Sequence, residues 1–511
     1  MRPRPTAPAF DEAALTALAL AGLAFWFVVG LPWGLHNESF DWVVRLEQRS
    51  LWGALFEKFP SVLSFRPLGT GPAWLLYHLG GHDVGLAQLA NAGLALFAWG
   101  WVVRDARERH LLALLSFVAG GVFFAGYIWV FHLHGIFYGP LLVYVASLVR
   151  AARGPLDLRT LLGVFVGGVL TALAHPYALP LGIAFALGAV LETPALRSRA
   201  GLAALAVVIT GSLAVLLLLV PPYGRSVPNV PLAGLITSFR ACEVNAAGAI
   251  VAALLAAWTG SRAWRGRAGV AAALLTLLLA GASMAAGLPV LPLWIAWAAA
   301  RSARHGRWAL VALLVASALL PIANPTGSPT YAIFAILVAA CATALDEADG
   351  DARLRAVPGA AHAVAVAAVL IVALAVRGGW PVPVVSHAAR PLLAEGERTR
   401  QLEVLAGRLM ASTWRDEPVR LATAPANPVD VNPLDRRFRP PTEDAHLDTW
   451  LDWKRGGPAT GSDTLVLAFG GETRPGMDTL FVARGRYAGD ALVLRRSPGT
   501  LHADAAASSR P

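Results

Sequence analysis

The sequence predicts an α-helical polytopic membrane protein that ends in a small α/β domain, and three observations support this fold class. Of the 511 residues, 56% are hydrophobic and 14% are charged, and the mean hydropathy is +0.57, which is too apolar for a water-soluble globule. Apolar runs such as 13–31 and 201–220 approach the ~20 residues that cross a bilayer. Beyond residue 378 the chain becomes rich in Asp, Arg, Pro and Gly, which indicates a second domain.

Hydropathy predicts a transmembrane domain over 1–378 with about 13 helices, including a first outer loop at 32–83. The first span is interpreted as a signal anchor, because it is long and leads into Leu-Pro-Trp-Gly rather than into a small-residue cleavage site. The predicted spans lie near 13–31, 84–103, 111–130, 135–150, 160–176, 178–192, 201–220, 244–259, 268–286, 288–300, 308–323, 330–346 and 361–377.

The distribution of positive charge tests this topology, since a miscount by one span would invert every later loop. With a cytoplasmic N-terminus, the inner segments carry 18 arginines, whereas the two long outer loops carry 6 Arg or Lys residues. We therefore expect a multi-pass protein of the bacterial inner (plasma) membrane, with its N-terminus in the cytoplasm and its C-terminal domain outside. The asymmetry also explains the net charge of +10, so no nucleic-acid partner is expected.

The segment 379–511 is predicted to be an extracytoplasmic α/β domain. A helical stretch at 392–412 precedes strand-like runs at 419–424, 464–469, 479–484 and 491–496. No catalytic motif is recognisable there, and we expect the domain to cover the mouth of a site formed by the outer loops. The two cysteines of the chain, Cys242 and Cys341, support neither a disulfide framework nor a cysteine metal site.

The first outer loop concentrates polar residues near the predicted membrane surface. Glu38 and Asp41 are spaced i, i+3, so one helical turn would place them on one face. Residues 46–59 carry an apolar stripe that is typical of a helix lying on a bilayer. Arg66-Pro67 then precedes the second span. Loop carboxylates are often simply solvated, and that alternative stays open for Glu38 and Asp41.

The order of these motifs resembles a known family. Glu38-Ser39-Phe40 is followed by Phe65-Arg66-Pro67-Leu68, by Asn91 in the next span, and by the segment 174–192, which begins Ala-His-Pro-Tyr. This succession is similar to integral-membrane glycosyltransferases of the GT-C superfamily, especially bacterial relatives of the protein O-mannosyltransferases. The resemblance covers about 190 residues, spans one to six. Ser39 stands where the family has a second acid, and Ser64 where it has a histidine.

The resemblance implies an inverting transfer of a sugar from a polyprenyl-phosphate donor to an acceptor on the extracytoplasmic face, where the acceptor is a protein, a lipid or a polysaccharide. A carboxylate would accept the proton of the acceptor hydroxyl, and both Glu38 and Asp41 are candidates. A fixed cation would stabilise the leaving lipid phosphate. Arg66, Arg225 and Arg240 are candidates for that role, although Arg225 and Arg240 could instead contact membrane lipids.

Four further residues are expected to line the site: Asn91, His132, His134 and His175. With Glu38 or Asp41 the histidines could bind a divalent cation. Hydrogen bonding is the preferred interpretation, so no metal ligand is assigned, and a divalent cation stays open as a cofactor.

Two other function classes stay open. One is a transporter or flippase for a lipid-linked sugar, which the nearly charge-free span interiors and the lack of an internal repeat disfavour. The other is a noncatalytic membrane scaffold of envelope glycan assembly, with which Ser39 and Ser64 are compatible.

Overall fold

The computed structural model describes residues 38–56, 66–82, 84–104, 135–219, 236, 239, 246–264, 266–320, 329–344, 383–421, 449–461, 464–469 and 476–496. Within these ranges the chain is predominantly helical. Ten of the predicted spans coincide with described helices, whereas the spans at 13–31, 111–130 and 361–377 lie outside the described residues.

The first outer loop contains α1 (Glu38–Glu47), α2 (Leu51–Phe56) and α3 (Pro67–Leu79). The helical bundle that follows consists of α4 (Gly85–Arg104), α5 (Gly135–Ala151), α6 (Leu158–Ala172), α7 (Ala178–Glu192), α8 (Arg199–Leu219), α9 (Ala246–Ala263), α10 (Arg267–Ala285), α11 (Leu291–Arg304), α12 (Trp308–Leu319) and α13 (Pro329–Ala344). The C-terminal part contains α14 (Pro383–Met410), β1 (Val419–Leu421), β2 (Leu465–Ala468), β3 (Met477–Ala483) and β4 (Ala491–Arg496).

Helix α7 lies in the middle of the bundle, where it contacts α5, α6, α8 and α12. Its inward face is small or apolar, and Phe185 and Ala186 are fully buried. A Cβ atom on Gly188 would lie 2.4 Å from the Trp308 carbonyl oxygen and 2.6 Å from Cα of Ala309. Only glycine therefore lets the backbones of α7 and α12 approach this closely.

Two described helices, α8 and α10, are long and apolar enough to cross a membrane by length and composition. Only 22% of each apolar stretch is buried, so neither resembles the core helix of a water-soluble protein. Leucines cover their outer sides, and Leu218 and Leu278 are 81% and 72% exposed. Exposed apolar faces of this extent suit a hydrocarbon environment, as the predicted fold class requires.

The bundle gathers arginine side chains at one end, which we call the arginine end. The Arg307 guanidinium donates hydrogen bonds to the Ala152 carbonyl (3.4 Å) and to Glu192 Oε1 (3.2 Å). Arg150 lies 12 residues after Tyr138 in α5, a rise of about 18 Å, so Tyr138 belongs to the opposite end. The arginine end is defined by Arg150, Arg197, Arg301, Arg304 and Arg307.

The C-terminal part contains a four-stranded sheet in the order β1-β2-β4-β3. Strands β1 and β2 are parallel, and helical residues 449–455 lie in the connection between them. Strand β4 is antiparallel to both β2 and β3. Each predicted strand run overlaps one of these strands. Helix α14 starts at Pro383 rather than at 392, because Pro391 is accommodated inside the helix instead of preceding it.

Helix α2 has an apolar side that faces away from the protein. Trp52 and Phe56 are 69% and 64% exposed, and their rings stack with centroids 5.7 Å apart. The apolar stripe predicted at 46–59 consisted of Leu51, Leu55 and Phe59, with Trp52 and Phe56 beside it. The Leu55 side chain packs against the backbone of α3, where Gly71 leaves room for it, so the exposed face is turned toward Trp52 and Phe56. Phe59 lies outside the described residues.

Candidate functional site

The candidate site begins with Arg66-Pro67 at the start of α3. Arg66 has φ −135° and ψ 59°, which lie outside the helical region. The residue before a proline avoids the helical region, because the proline ring would clash with its backbone. Its carbonyl accepts hydrogen bonds from the N–H groups of Gly69 (3.0 Å) and Thr70 (2.9 Å) and from the Thr70 hydroxyl (3.0 Å). Pro67 occupies the first helical turn, where no N–H is needed. The Arg66 backbone is therefore fixed at the partly positive end of α3.

A backbone hydrogen bond joins this helix start to a distant part of the chain. The Leu68 N–H donates to the Leu173 carbonyl at 3.1 Å. Leu173 opens the turn 173–177 between α6 and α7, which carries His175. Arg66 and His175, both predicted site residues, thus lie on adjoining segments. This end of the bundle is called the His175 end below.

His175 is completely buried between two tyrosines. Its ring centroid lies 4.8 Å from that of Tyr138 and 4.9 Å from that of Tyr177. The Tyr177 N–H donates to His175 Nδ1 at 3.4 Å, so Nδ1 acts as an acceptor. His175 Nδ1 therefore carries a lone pair toward the turn rather than a proton.

Asn91 also lies toward the His175 end. It is 1% exposed and precedes Leu94 by about one turn of α4. The Leu94 side chain occupies the space beside Gly139, next to Tyr138. The structure thus places Arg66, His175 and Asn91, all three part of the same motif succession, toward one end of the bundle.

Glu38 and Asp41 both lie in the first turn of α1, as their spacing suggested. The orientation of their side chains lies outside the described part of the structure. The remaining predicted residues, Arg225, Arg240, His132 and His134, fall outside the described ranges altogether and stay predictions.

The helix that carries Glu38 and Asp41 is covered by the C-terminal part of the chain. One cluster of buried apolar side chains includes Trp42 and Leu46 of α1, Leu405 and Leu409 of α14, and Leu467 of β2. Trp42 is 1% exposed. The C-terminal part of the chain therefore packs directly against the helix that carries the two candidate carboxylates.

The structure adds a polar cluster that the sequence did not suggest, formed by Glu47, His78 and His82. His82 Nδ1 lies 2.6 Å from Glu47 Oε1, and the Tyr77 hydroxyl donates to the same oxygen at 2.8 Å. His78 Nδ1 lies 2.9 Å from the Trp74 carbonyl. In the sequence, the only sign of this cluster was the i, i+4 spacing of His78 and His82 on either side of Gly80-Gly81. Glu47 joins the two histidines only through the packing of α1 on α3.

The Glu47 carboxylate is stabilised in its ionised form. Partial burial raises the pKa of Glu47, but hydrogen bonds from His82 and Tyr77 and the charges of His82 and His78 outweigh that effect, and the pKa falls below its ordinary value. Glu47 is therefore an anion at neutral pH. The cluster combines one carboxylate with two imidazoles, which can hold a cation or move a proton.

Comparison with known proteins gave one relevant match. No family model matches the chain, and no curated protein matches it. Among solved structures, the crystal structure of ArnT from Cupriavidus metallidurans bound to undecaprenyl phosphate is similar, with 14% identity over 93% of this chain and 97% of that chain, and a TM-score of 0.39. Because the TM-score is low, we base the functional proposal on residues of this chain.

Proposed function

We propose that the protein is a membrane glycosyltransferase that moves a sugar from a polyprenyl-phosphate donor to an acceptor on the extracytoplasmic face of a bacterial inner membrane. The observation that carries the proposal is the hydrogen bond from Leu68 to Leu173, which sets the Arg66 helix start against the turn that bears buried His175. This end of the bundle is distant from the arginine end and lies close to the helix of Glu38 and Asp41.

The arrangement supports a displacement at the anomeric carbon of the donor sugar. Glu38 or Asp41 accepts the proton of the acceptor hydroxyl as its oxygen bonds to that carbon. The bond from the carbon to the lipid phosphate oxygen breaks with inversion, and its electron pair leaves with the phosphate. Arg66 and the N-terminal end of α3 stabilise the resulting negative charge. His175 and Asn91 line the site.

The location of the arginines in the bundle supports placing this site at the extracytoplasmic face. In the described residues, the arginine end collects side chains from segments that the topology assigns to the cytoplasm, and Arg66 and His175 lie toward the other end of the same helices. The positive-inside rule then assigns the Arg66 and His175 side to the extracytoplasmic face. A lipid-linked donor presented on that face would reach Arg66 without crossing the bilayer.

The test is sugar transfer by the purified protein in lipid, with a panel of radiolabelled polyprenyl-phosphate sugars. We expect Arg66→Ala to lower turnover by about 10²- to 10³-fold, the usual effect of removing one charge-stabilising group. One of Glu38→Gln and Asp41→Asn should lower it by about 10²- to 10⁴-fold, which would identify the base.

The matched control is Arg159→Ala, which removes an exposed arginine from the first turn of α6 and should leave turnover unchanged. If the wild type consumes no donor, or if the control and Arg66→Ala lose turnover equally, the catalytic proposal fails. Lipid-linked sugar flipping, measured in vesicles, and a scaffold role would then be the remaining functions.

A further inference from the structure

The cluster of Glu47, His78 and His82 has the composition of a transition-metal site. One ligand atom from each residue lies within 4.8 Å of the others. The three residues come from the last position of α1, the last turn of α3 and the turn that follows α3. They are separate from Arg66, His175 and Asn91, and none of them takes part in a chemical step of the proposed transfer.

The hydrogen bonds around the cluster orient its side chains as metal ligands. His78 donates Nδ1–H to the Trp74 carbonyl at 2.9 Å, which leaves the lone pair on Nε2. A second ring nitrogen bound to a backbone carbonyl is the usual support of a metal-binding histidine. The Tyr77 hydroxyl holds the Glu47 carboxylate in the same way.

The end of α3 brings His82 back toward the helix. The Gly81 N–H donates to the His78 carbonyl (3.1 Å) and the His82 N–H to the Tyr77 carbonyl (3.0 Å), which is the Schellman pattern of a helix C-terminus. Gly81 has φ +72°, and His82 itself has φ +66°, a conformation that costs energy for a residue with a side chain. The carbonyl end of a helix also favours a cation.

We infer that Glu47, His78 and His82 form a binding site for a divalent transition-metal ion of the zinc type. Two imidazoles and one carboxylate are a ligand set of zinc, whereas calcium and magnesium prefer oxygen ligands throughout. The three residues leave a fourth coordination position for water or an anion. His82, the most exposed of the three, provides access from solvent.

The geometry requires only a small adjustment to hold the ion. Ligands about 2.0–2.2 Å from a tetrahedral zinc ion lie about 3.3 Å from each other. His82 and Glu47, now 2.6 Å apart, must separate slightly, while the widest pair must close by about 1.5 Å from 4.8 Å. On binding, the hydrogen bond between Glu47 and His82 would be replaced by bonds from both residues to the ion.

A bound ion would tie α1 to the end of α3. Helix α1 carries Glu38 and Asp41 at its other end, and α3 starts at Arg66. The metal would thus fix the relative position of the two helices that hold the predicted base and the predicted phosphate ligand. Binding itself does not depend on the transferase proposal.

The experiment measures zinc binding to the full-length, tag-free protein in detergent. After removal of metal with a chelator, zinc is titrated against a chromophoric competitor, and metal content is measured by mass spectrometry. We expect one strongly bound zinc per chain, and visible absorption of four-coordinate cobalt when Co²⁺ replaces zinc. Loss of a hydrogen bond that supports a ligand lowers metal affinity by about 10- to 100-fold, so Tyr77→Phe should lower zinc affinity within that range. His82→Ala removes a ligand itself and should lower zinc affinity by about 100-fold or more.

Glu47→Gln keeps a similar shape and tests the carboxylate if His82→Ala fails to fold. His305→Ala is the matched control, because it removes an exposed histidine at the arginine end and should keep full affinity. The inference is overturned if the wild type binds no zinc below about 10 µM, a free energy near −7 kcal/mol. It is also overturned if Glu47→Gln binds zinc as tightly as the wild type and the His305→Ala control do. Neither result bears on sugar transfer, which is assayed separately.

Discussion

The two ends of the bundle use charged side chains in different ways. At the arginine end, guanidinium groups bind helix ends: Arg301 donates to the Thr343 carbonyl at 2.8 Å, and Arg197 donates to the Leu191 carbonyl at 2.6 Å. At the His175 end, the described polar side chains come from segments distant in sequence, and they include imidazoles and a carboxylate as well as Arg66. The first pattern stabilises helix C-termini. The second places groups that can bind anions, cations and protons.

This difference separates two origins of the net positive charge. Arginines that follow the positive-inside rule fix topology and contact backbone carbonyls or tryptophan faces, as Arg304 does over Trp264 at 4.5 Å. Their removal should affect stability and leave chemistry unchanged. Removal of Arg66 should instead lower turnover and leave stability largely unchanged. Substitutions at the two ends of the bundle test this division, and the largest loss of stability is expected at the His175 end.

The largest loss of stability is expected at Trp42, which lies in the buried cluster that joins α1 to α14 and the sheet. Trp42→Ala should cost about 3–5 kcal/mol, because a large buried side chain leaves a cavity in the shared cluster. Thermal unfolding in detergent measures the loss, and limited proteolysis should cut the C-terminal segment faster. Trp52→Ala is the control, since its side chain is 69% exposed. Equal effects of the two changes would contradict the shared core.

The next effect belongs to the contact between α7 and α12 near the arginine end. Gly188→Ala should cost about 1–3 kcal/mol, because the new methyl group meets the backbone of Trp308 and Ala309, which cannot move as a side chain would. Gly163→Ala in α6 has open space around its Cβ and should be neutral or slightly stabilising. Turnover per folded molecule should remain unchanged in both. A loss of turnover in Gly188→Ala alone would indicate that the reaction takes place at the arginine end rather than at the His175 end.

A smaller effect is expected for the ion pair between Arg307 and Glu192. Glu192 also accepts a hydrogen bond from the Ala309 N–H at 3.1 Å, so it caps the start of α12. A double-mutant cycle with Arg307→Gln and Glu192→Gln should give a coupling of about 1 kcal/mol or less, because the arginine side chain is 39% exposed. Neither variant should lose turnover, in contrast to Arg66→Ala. A turnover loss of 100-fold in Arg307→Gln would refute the division between the ends.

Much of the fold could be predicted from local pattern. Apolar runs and turn residues located the helices α4 to α13 within a few residues, because helix length and hydropathy depend on neighbouring residues. The four strand runs were equally visible. The helical stretch predicted at 392–412 began too late, since Pro391 lies inside α14, and a proline inside a helix does not always end it.

The site was predictable only in part. The motif Phe65-Arg66-Pro67 pointed to α3, but its contact with the turn of His175 depends on one long-range hydrogen bond that no local pattern encodes. The cluster of Glu47 and His82 was missed for the same reason. It requires a Schellman turn at Gly81 and the packing of α1 against α3, and both are decided by tertiary structure.

The smallest effect should come from Asp157, which caps α6 on the same side as the arginine end. A hydrogen bond from the Thr160 N–H (2.8 Å), together with that from the Thr160 hydroxyl, lowers the pKa of Asp157 below its ordinary value of 3.8. A lowered pKa means that this stabilisation is fully present above pH 3.8 and is lost as the pH falls through the folded-state value. Asp157→Asn retains an oxygen acceptor but cannot titrate, so its melting temperature should lie slightly below that of the wild type at pH 7 and converge with it in acid. Thermal unfolding at several pH values measures the difference, and a constant gap would show that the carboxylate charge does not stabilise the helix.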